Sequence, residues 1–327
     1  MITESFDVLL VHGEVGLNPT TPFDSMVANK TYKKLWDMFD DEAMSMAIVS
    51  PTTYDKEDCK FSGFWTLNRR TGSFEHVKHV ASSRMLIDRF YDKSLLNIKR
   101  HMDEHFFSFN GIEVDVTCKD KLTTSEVFKH HIPTALDPNE LLDVVAASKT
   151  TFSQEYMVKK PRFGRQSEGV VVVKIGSDEC VYSGNNYVFQ PFLKTKKYFG
   201  NNKVHDIRLF VEIIKKRAKP SLLGAELRQP YNDSELFITK SRETMPYDCH
   251  RDCSLNLKNI LADVYDTHHT LTKKPGLFAV DIGISDEGTP FIFEINTKPC
   301  LYLYENGKTQ HIREAVLDQM TYGALYM

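Results

Sequence analysis

Three oxygen-bearing side chains near the C-terminus carry the first chemical suggestion. Asp281 lies in the apolar run GLFAVDIGI (276–284), and Glu294 and Asn296 lie in TPFIFEIN (289–296). The turn SDEG (285–288) joins the two runs, so the segment reads as a β-hairpin. Glu294 and Asn296 stand two residues apart and share a strand face. With Asp281 across from them, two carboxylates and an amide converge as hard donors suited to magnesium. Their neighbours are apolar, and an isolated buried charge is costly, so these groups are expected to be paired, hydrogen-bonded or metal-bound. The competing reading is an alternating strand with Asp281 and Glu294 in solvent. The hairpin alone leaves both open.

Other segments offer cations. In EYMVKKPRFGRQSEGVVVVKIG (155–176), Lys160 ends a strand, and Pro161 and a loop with Gly164, Ser167 and Gly169 follow. Backbone N–H groups of such a loop can reach phosphate oxygens while Lys160 supplies a point charge. An ordinary hairpin would read the same way. Between Pro191 and Pro220 stand nine Lys or Arg residues and two acids, +7 locally. That run is either a solvated face or a funnel for an anionic substrate. Arg208 and Arg228 sit among apolar residues on the facing arms of DIRLFVEIIKKRAKPSLLGAELRQ (206–229). Arginines so placed commonly clamp carboxylate or phosphate. Cys249, His250 and Cys253 in CHRDC form a polar loop, or half of a zinc site that would need His268 and His269.

The elements that must hold these residues change character along the chain. FDVLLVHG (6–13) reads as a buried strand, 26–39 as a helix and AMSMAIVSP (43–51) as a second strand, the opening of a parallel α/β layer. FWTLNRRTGSFEHV (64–77) reads as a hairpin around Thr71-Gly72, and 85–107 as helix. From 155 onward antiparallel patterning dominates: strand, loop and strand over 155–176, a strand NNYVFQPFL (185–193), then the hairpins at 206–229 and 276–296. A terminal helix is expected over 309–324.

Composition excludes whole classes. The chain has 327 residues with 26% charged and 41% hydrophobic side chains, which rules out disorder and a fibrous fold. A net charge of −3 argues against a general nucleic-acid coat or a polybasic membrane binder. That total averages an acidic 1–60, with 11 acids and 5 bases, against the basic 191–220. No apolar run approaches the roughly 20 residues of a membrane span, and the N-terminus lacks the basic region of a signal peptide. Six scattered cysteines suit a reducing cytoplasm, and Cys300 beside Pro299 reads as a packing residue.

Taken in order, the segments resemble the ATP-grasp superfamily of carboxylate–amine ligases over roughly residues 110–310. CKDKLTTSEVFKHHIPTAL (118–136) resembles the family's "DK, helix, GIP-P-T" segment, with Lys121 at the phosphate-contacting lysine. MVKKPRFGRQSEGV resembles its "V-K-P" strand and mobile loop, which makes Lys160 the second nucleotide lysine. YVFQPFL resembles the hinge strand that reads adenine, at Gln190, Pro191 and Phe192. DIRLFVE and AELRQP match the two arginine strands, and the last hairpin matches the magnesium motif "D, then E-x-N-x-x-P". Two departures stand out: 239–258 contains no glycine where many members are glycine-rich, and the hinge has no acid after its glutamine.

The resemblance implies an α/β ATP-grasp fold with a Rossmann-like preceding domain. It divides the chain into 1–110 on the acceptor side, 111–190 with the lysines and mobile loop, and 191–327 with the magnesium site. It implies ATP, with phosphates held by Lys121, Lys160 and the loop at Ser167 and Gly169, and two magnesium ions on Asp281, Glu294 and Asn296. Arg208 and Arg228 would act on the transferring phosphoryl group. The expected reaction activates a carboxylate as an acyl phosphate and joins it to an amine, an amino acid or a peptide. No nucleic acid or membrane is involved, and a homodimer is allowed. The alternative on the same fold is a kinase of a polyanionic small molecule such as an inositol phosphate.

Overall fold

The computed structural model describes residues 2–15, 20–148, 152–164, 168–182, 184–193, 195, 204–214, 219–231, 242–249, 257–303 and 307–326. The chain divides into two compact units: Met1–Ile112 with Lys274–Gly276 and Lys298–Met327, and Glu113–Lys273 with Leu277–Thr297. No helix among the described residues is long and apolar enough to cross a membrane.

The first unit opens with strands β1 (Thr3–Ser5) and β2 (Val8–His12), helix α1 (Met26–Asp41) and strand β3 (Met46–Val49). Then come β4 (Tyr54–Asp55), β5 (Lys60–Asn68), β6 (Ser73–Ser82), β7 (Met85–Arg89), α2 (Leu96–His105) and β8 (Phe107–Ser108). They form one sheet in the order β1-β6-β5-β3-β2-β7-β8, with β4 added on β5. β2 pairs parallel with β3 and β7, and every residue of β2 and β3 is buried, as a central parallel strand requires. Ser25 caps α1 by accepting from the Ala28 amide. The helix buries Ala28, Thr31, Tyr32, Leu35, Trp36 and Phe39, a single stripe at helical spacing.

The hairpin expected at 64–77 is β5–β6, with Asn68 opposite Ser73. The helix expected over 85–107 is corrected: Met85–Arg89 is a strand, and the helix begins only at Leu96. The apolar residues of β7 satisfy their backbone against β2, Val8 opposite Met85 through His12 opposite Arg89, and this tertiary pairing overrides a weak helical pattern.

The second unit contains α3 (Ile112–Lys119), α4 (Lys121–Val127), α5 (Pro138–Ala147), β9 (Phe152–Pro161), β10 (Val171–Lys174) and β11 (Tyr187–Leu193). β12 (Asp206–Ile213), β13 (Ser221–Pro230), β14 (Arg242–Pro246), α6 (Leu257–Leu271), β15 (Gly276–Ile284) and β16 (Pro290–Asn296) follow. The described residues of this unit form two sheets, a three-stranded one ordered β10-β9-β11 and a five-stranded one ordered β14-β13-β12-β15-β16. A buried cluster gathers Ile207, Leu209 and Val211 of β12, Leu227 of β13, Val280 and Ile282 of β15, and Ile260 and Val264 of α6. Strand alternation therefore sends one face of the larger sheet into the core beneath α6 and frees the other face for chemistry.

The last helix, α7 (Gln310–Tyr326), matches the expectation for 309–324 in position but not in company. Residues Lys298–Met327 belong to the first unit, whereas the sequence alone groups them with the metal hairpin. The amide of Leu303 donates to Thr31 Oγ1 of α1 at 2.9 Å, and the Arg89 guanidinium donates to the Pro299 carbonyl at 2.6 Å. Cys300 is exposed, so it is not the packing residue expected.

Candidate active site

The free face of the five-stranded sheet collects the charges. Asp206 and Arg208 stand two apart on β12, Arg228 lies opposite Asp206 on β13, and Glu294 lies opposite Asp281 across β15–β16. Asn296 lies opposite Ala279, two residues from Asp281. The trio Asp281, Glu294 and Asn296 therefore shares one sheet face.

The arginines bind the carboxylates tightly. Arg208 donates from Nε and Nη2 to the two oxygens of Asp281, both at 2.8 Å. Arg228 donates to the two oxygens of Asp206 at 2.5 and 2.7 Å, and its Nη2 lies 2.9 Å from Asp281 Oδ2. Burial alone would push the Asp281 carboxyl up, but the facing charges of Arg208 and then Arg228 outweigh it and hold Asp281 well below the usual carboxylate range. Burial, opposed by Arg228, and the nearby charge of Asp281 push Asp206 the other way. A third guanidinium stands close: burial and then the like charges of Arg228 and Arg208 lower Arg242.

The register slips once in the hairpin. Asp281 faces Glu294 but Ile282 faces Ile292, so Phe293 is an extra residue, a β-bulge. A Cβ on Gly283 would come within 2.0 Å of the Phe293 ring, so only glycine lets that ring lie across the partner strand. The bulge lets Ile292 and Ile295 both enter the core while Glu294 stays on the charged face. It also directs the Phe293 carbonyl toward Lys160, whose Nζ lies 3.5 Å away.

Lys160 and Lys121 form the second group of cations. Asp120 caps α4 by accepting from the Leu122 amide at 3.0 Å, and its carboxylate takes Arg162 at 2.7 and 2.5 Å. Lys121 follows immediately and donates to the Gly164 carbonyl at 2.9 Å, beneath the turn after β9. Both lysines are buried, and among the described residues neither has an ion pair. Burial, followed by Lys121, lowers Lys160 to about 7, with Glu294 and Asp281 opposing. Burial also lowers Lys121, against Glu294 and Asp120. Next to them, burial and Lys160 keep His131 neutral, at about 3.

A cavity connects these lysines to strand β11. Its walls include Ile132, Val158, Pro161, Val170, Phe192 and Leu193, and its polar groups include Lys121, Lys160, Glu168, Asp206 and Glu294. An apolar slot with a few convergent charges is the usual form of a nucleotide or substrate pocket. Gln190 and Pro191 also line it, and the Gln190 amide donates to Thr134 Oγ1 at 2.9 Å. The N–H and C=O of Phe189 both pair with Ala135. Backbone polarity alternates by residue along a strand, so the Pro191 carbonyl faces the same side. Proline offers no N–H there.

The sequence profile of the ATP-grasp domain matches residues 118–300, more than half of the chain. The chain belongs to the ATP-grasp family. Solved structures share the fold at low identity. D-cycloserine synthetase DcsG aligns at 13% identity over 96% of this chain and 99% of its own, with a TM-score of 0.59. D-alanyl-alanine synthetase A from Vibrio cholerae O1 biovar eltor aligns at 12% over 100% of both chains, also at 0.59. The ATP-grasp ligase PsnB, in a complex with minimal precursor, Mg and ADP, aligns at 10% over 98% of both chains at 0.56. No curated protein matches the chain in sequence.

Within the ATP-grasp domain, the structure brings Lys121, Lys160, Gln190, Pro191 and Phe192 to one cavity. Arg208, Arg228, Asp281, Glu294 and Asn296 share the adjoining sheet face. Gly169 sits at φ +69°, close over Pro161. Ser167 lies outside the described residues, as do His250, Cys253 and seven of the nine bases of the 191–220 run. Sequence reasoning passed over Asp206, Thr134, His131 and Arg242. Asp206 had a signal, since its spacing of two from Arg208 puts both on one face. The other three acquire their places only through tertiary pairing.

The oxygen set suits magnesium: two carboxylates and an amide on one face, with room for phosphate oxygens in the adjoining cavity. Asp281 already has two guanidinium partners, so a cation there would share the carboxylate with Arg208 and Arg228.

Proposed function

We propose that the chain is an ATP-dependent ligase that activates a carboxylate as an acyl phosphate and joins it to an amine, with release of ADP and phosphate. One observation carries the reading: two buried lysines, without ion pairs among the described residues, adjoin a sheet face where arginines and carboxylates are already paired. Phosphoryl transfer needs charge neutralisation and in-line positioning more than covalent chemistry. Lys121 and Lys160 would bind the nucleotide phosphates, and the cavity wall at Gln190, Pro191 and Phe192 would take the base. The Pro191 carbonyl suits the exocyclic amine of adenine. Asp281, Glu294 and Asn296 would hold magnesium, which supplies neutralisation of phosphate charge when bound.

Attack by the substrate carboxylate on the γ-phosphorus forms the acyl–phosphate bond and breaks the bond to ADP. Attack by the amine on the acyl carbon then forms the amide, expels phosphate and frees one proton. Arg208 and Arg228 would stabilise the charge on the phosphoryl group and the tetrahedral intermediate. The turn carrying Gly164, Glu168 and Gly169 would cover the acyl phosphate, which water would otherwise hydrolyse. An amino acid or a peptide would serve as substrate, in the company of the amide-forming relatives of this fold.

The test is release of phosphate across pairs of carboxylates and amines. A ligase forms ADP and free phosphate only when both partners are present. Formation of ADP with a stable phosphorylated product from one polyanionic substrate would replace the reading with a kinase on the same fold.

A further inference from the structure

The first unit contains a cluster of soft and borderline ligands that this chemistry does not use. Cys59 ends the turn between β4 and β5, and His101 and His105 stand four residues apart on α2. Residues so spaced project from one helix face. The two imidazoles stack with centroids 4.0 Å apart and planes 16° apart. A ligand atom from each of Cys59, His101 and His105 lies within 4.8 Å of the other two.

We propose that Cys59, His101 and His105 form a zinc site that pins the β4–β5 turn to α2. A tetrahedral ion with bonds of about 2.0–2.3 Å sets its ligand atoms about 3.3–3.6 Å apart. The ligand atoms need close by only about 1 Å to reach that spacing, and the two stacked rings must turn out of parallel so that both lone pairs meet the ion. A thiolate and two imidazoles select zinc or another late transition ion, and not magnesium, which prefers oxygen. The site is therefore chemically separate from Asp281, Glu294 and Asn296.

The surroundings engage Nδ1 of each histidine and leave Nε2 for an ion. His105 Nδ1 donates to the His101 carbonyl at 2.8 Å. That bond leaves Nε2 with its lone pair outward. His101 Nδ1 lies 3.0 Å from the Tyr54 hydroxyl, and when it donates there its Nε2 is freed in the same way. Tyr54 is itself fixed by packing against Phe61 and Phe106, at 5.0 and 6.0 Å between centroids. Cys59 adopts φ +53°, a left-handed backbone that is unusual for a residue other than glycine. The turn therefore keeps the thiol in place at a local conformational cost. Cys59 is a free, half-buried cysteine and His105 is exposed. An ion can enter from solvent and keep a fourth position for water.

The experiment titrates the reduced full chain with Co2+ as a spectroscopic stand-in, then with Zn2+ in competition with a chromophoric chelator. The expected result is one equivalent bound, with a thiolate-to-cobalt charge-transfer band and the strong visible bands of a tetrahedral site. His105→Ala, an exposed change at a helix end, should weaken binding at least about 100-fold, and Cys59→Ala should abolish the charge-transfer band. Zinc should raise the melting temperature of the wild-type chain and not that of His105→Ala. The double variant Cys249→Ser/Cys253→Ser should bind as the wild type does. Failure of the wild-type chain to bind either ion at 100-fold molar excess would overturn the proposal. Binding unchanged by His105→Ala, or lost only in the Cys249/Cys253 variant, would overturn it too.

Discussion

The two groups of cations in the second unit are kept under opposite electrostatic conditions. Arg228 is buried and Arg208 half-buried, held against Asp206 and Asp281 through bidentate contacts. Lys121 and Lys160 are also buried, but among the described residues their hydrogen bonds go to backbone carbonyls, and both are lowered by burial. The difference follows from side-chain chemistry. A guanidinium cannot shed its proton, so it can be buried only beside counter-charge. An ammonium can lose its proton and can therefore stand in the cavity without an anionic partner until one arrives. The arginine face is thus assembled in advance, whereas the lysine chamber is completed by an anion, for which the phosphates of ATP are the proposed source.

The largest effect should come from the carboxylate that adjoins both groups. Glu294→Gln should reduce ADP release by about 1000-fold or more while circular dichroism and the melting temperature stay near wild type. Full turnover in that variant would remove Glu294 from the chemistry. Arg228→Met tests the paired face, because it leaves Asp206 and Asp281 buried with one guanidinium fewer. Urea unfolding should show a loss of about 3–5 kcal/mol, part of it restored by Asp206→Asn in the same chain. A loss below about 1 kcal/mol would mean that the pairs behave as exposed ones.

Lys160→Met tests the unpaired group. ATP affinity should weaken about tenfold, a change of about 1.4 kcal/mol, by calorimetry at pH 7. Stability without nucleotide should move the other way. Lys160 sits at about 7 in the fold against 10.5 as an ordinary lysine. Between those values the unfolded chain binds the additional proton, so native stability gains from Lys160 titration as pH rises. The advantage of Lys160→Met should be greatest at pH 7 and below and should vanish near pH 10.5. An advantage that does not vary with pH would show that burial does not act on the charge. The smallest effect belongs to the turn over the lysines. Gly169→Ala would place a methyl 2.8 Å from Pro161 Cγ at φ +69°. It should cost about 1–2 kcal/mol and slow turnover a few-fold. Wild-type melting and rate would show that the turn yields freely.

Much of the site was legible in linear order because local rules govern it. The two-residue spacing of Glu294 and Asn296 puts them on one face in any strand, and Asp281 joins that face through a short turn that sets the register. Lys160 and the hinge residues reach a common cavity because β9 and β11 pair directly, with Lys160 opposite Val188. Helix α6 carries a helical period of its own at Leu257, Ile260, Val264 and His268, a signal that the reading of strands and hairpins from 155 onward does not contain. Strand β7 reads as helix in the sequence because a short apolar run has no decisive period, and only its pairing with β2 decides it.

By itself the sequence determined the order of the site strands, the shared face of Asp281, Glu294 and Asn296 and the ATP-grasp family. Those properties depend on residue type and on spacings of a few positions. Tertiary structure alone decided that Arg208 takes Asp281 while Arg228 divides itself between Asp206 and Asp281. It also decided that a bulge at Phe293 turns a carbonyl toward Lys160, and that residues after Lys298 pack with the first unit. It brought Cys59 beside two histidines more than forty residues away. The physical reason is that burial, register and the pairing of buried charges are settled over the whole chain at once, and no window of neighbouring residues contains both partners.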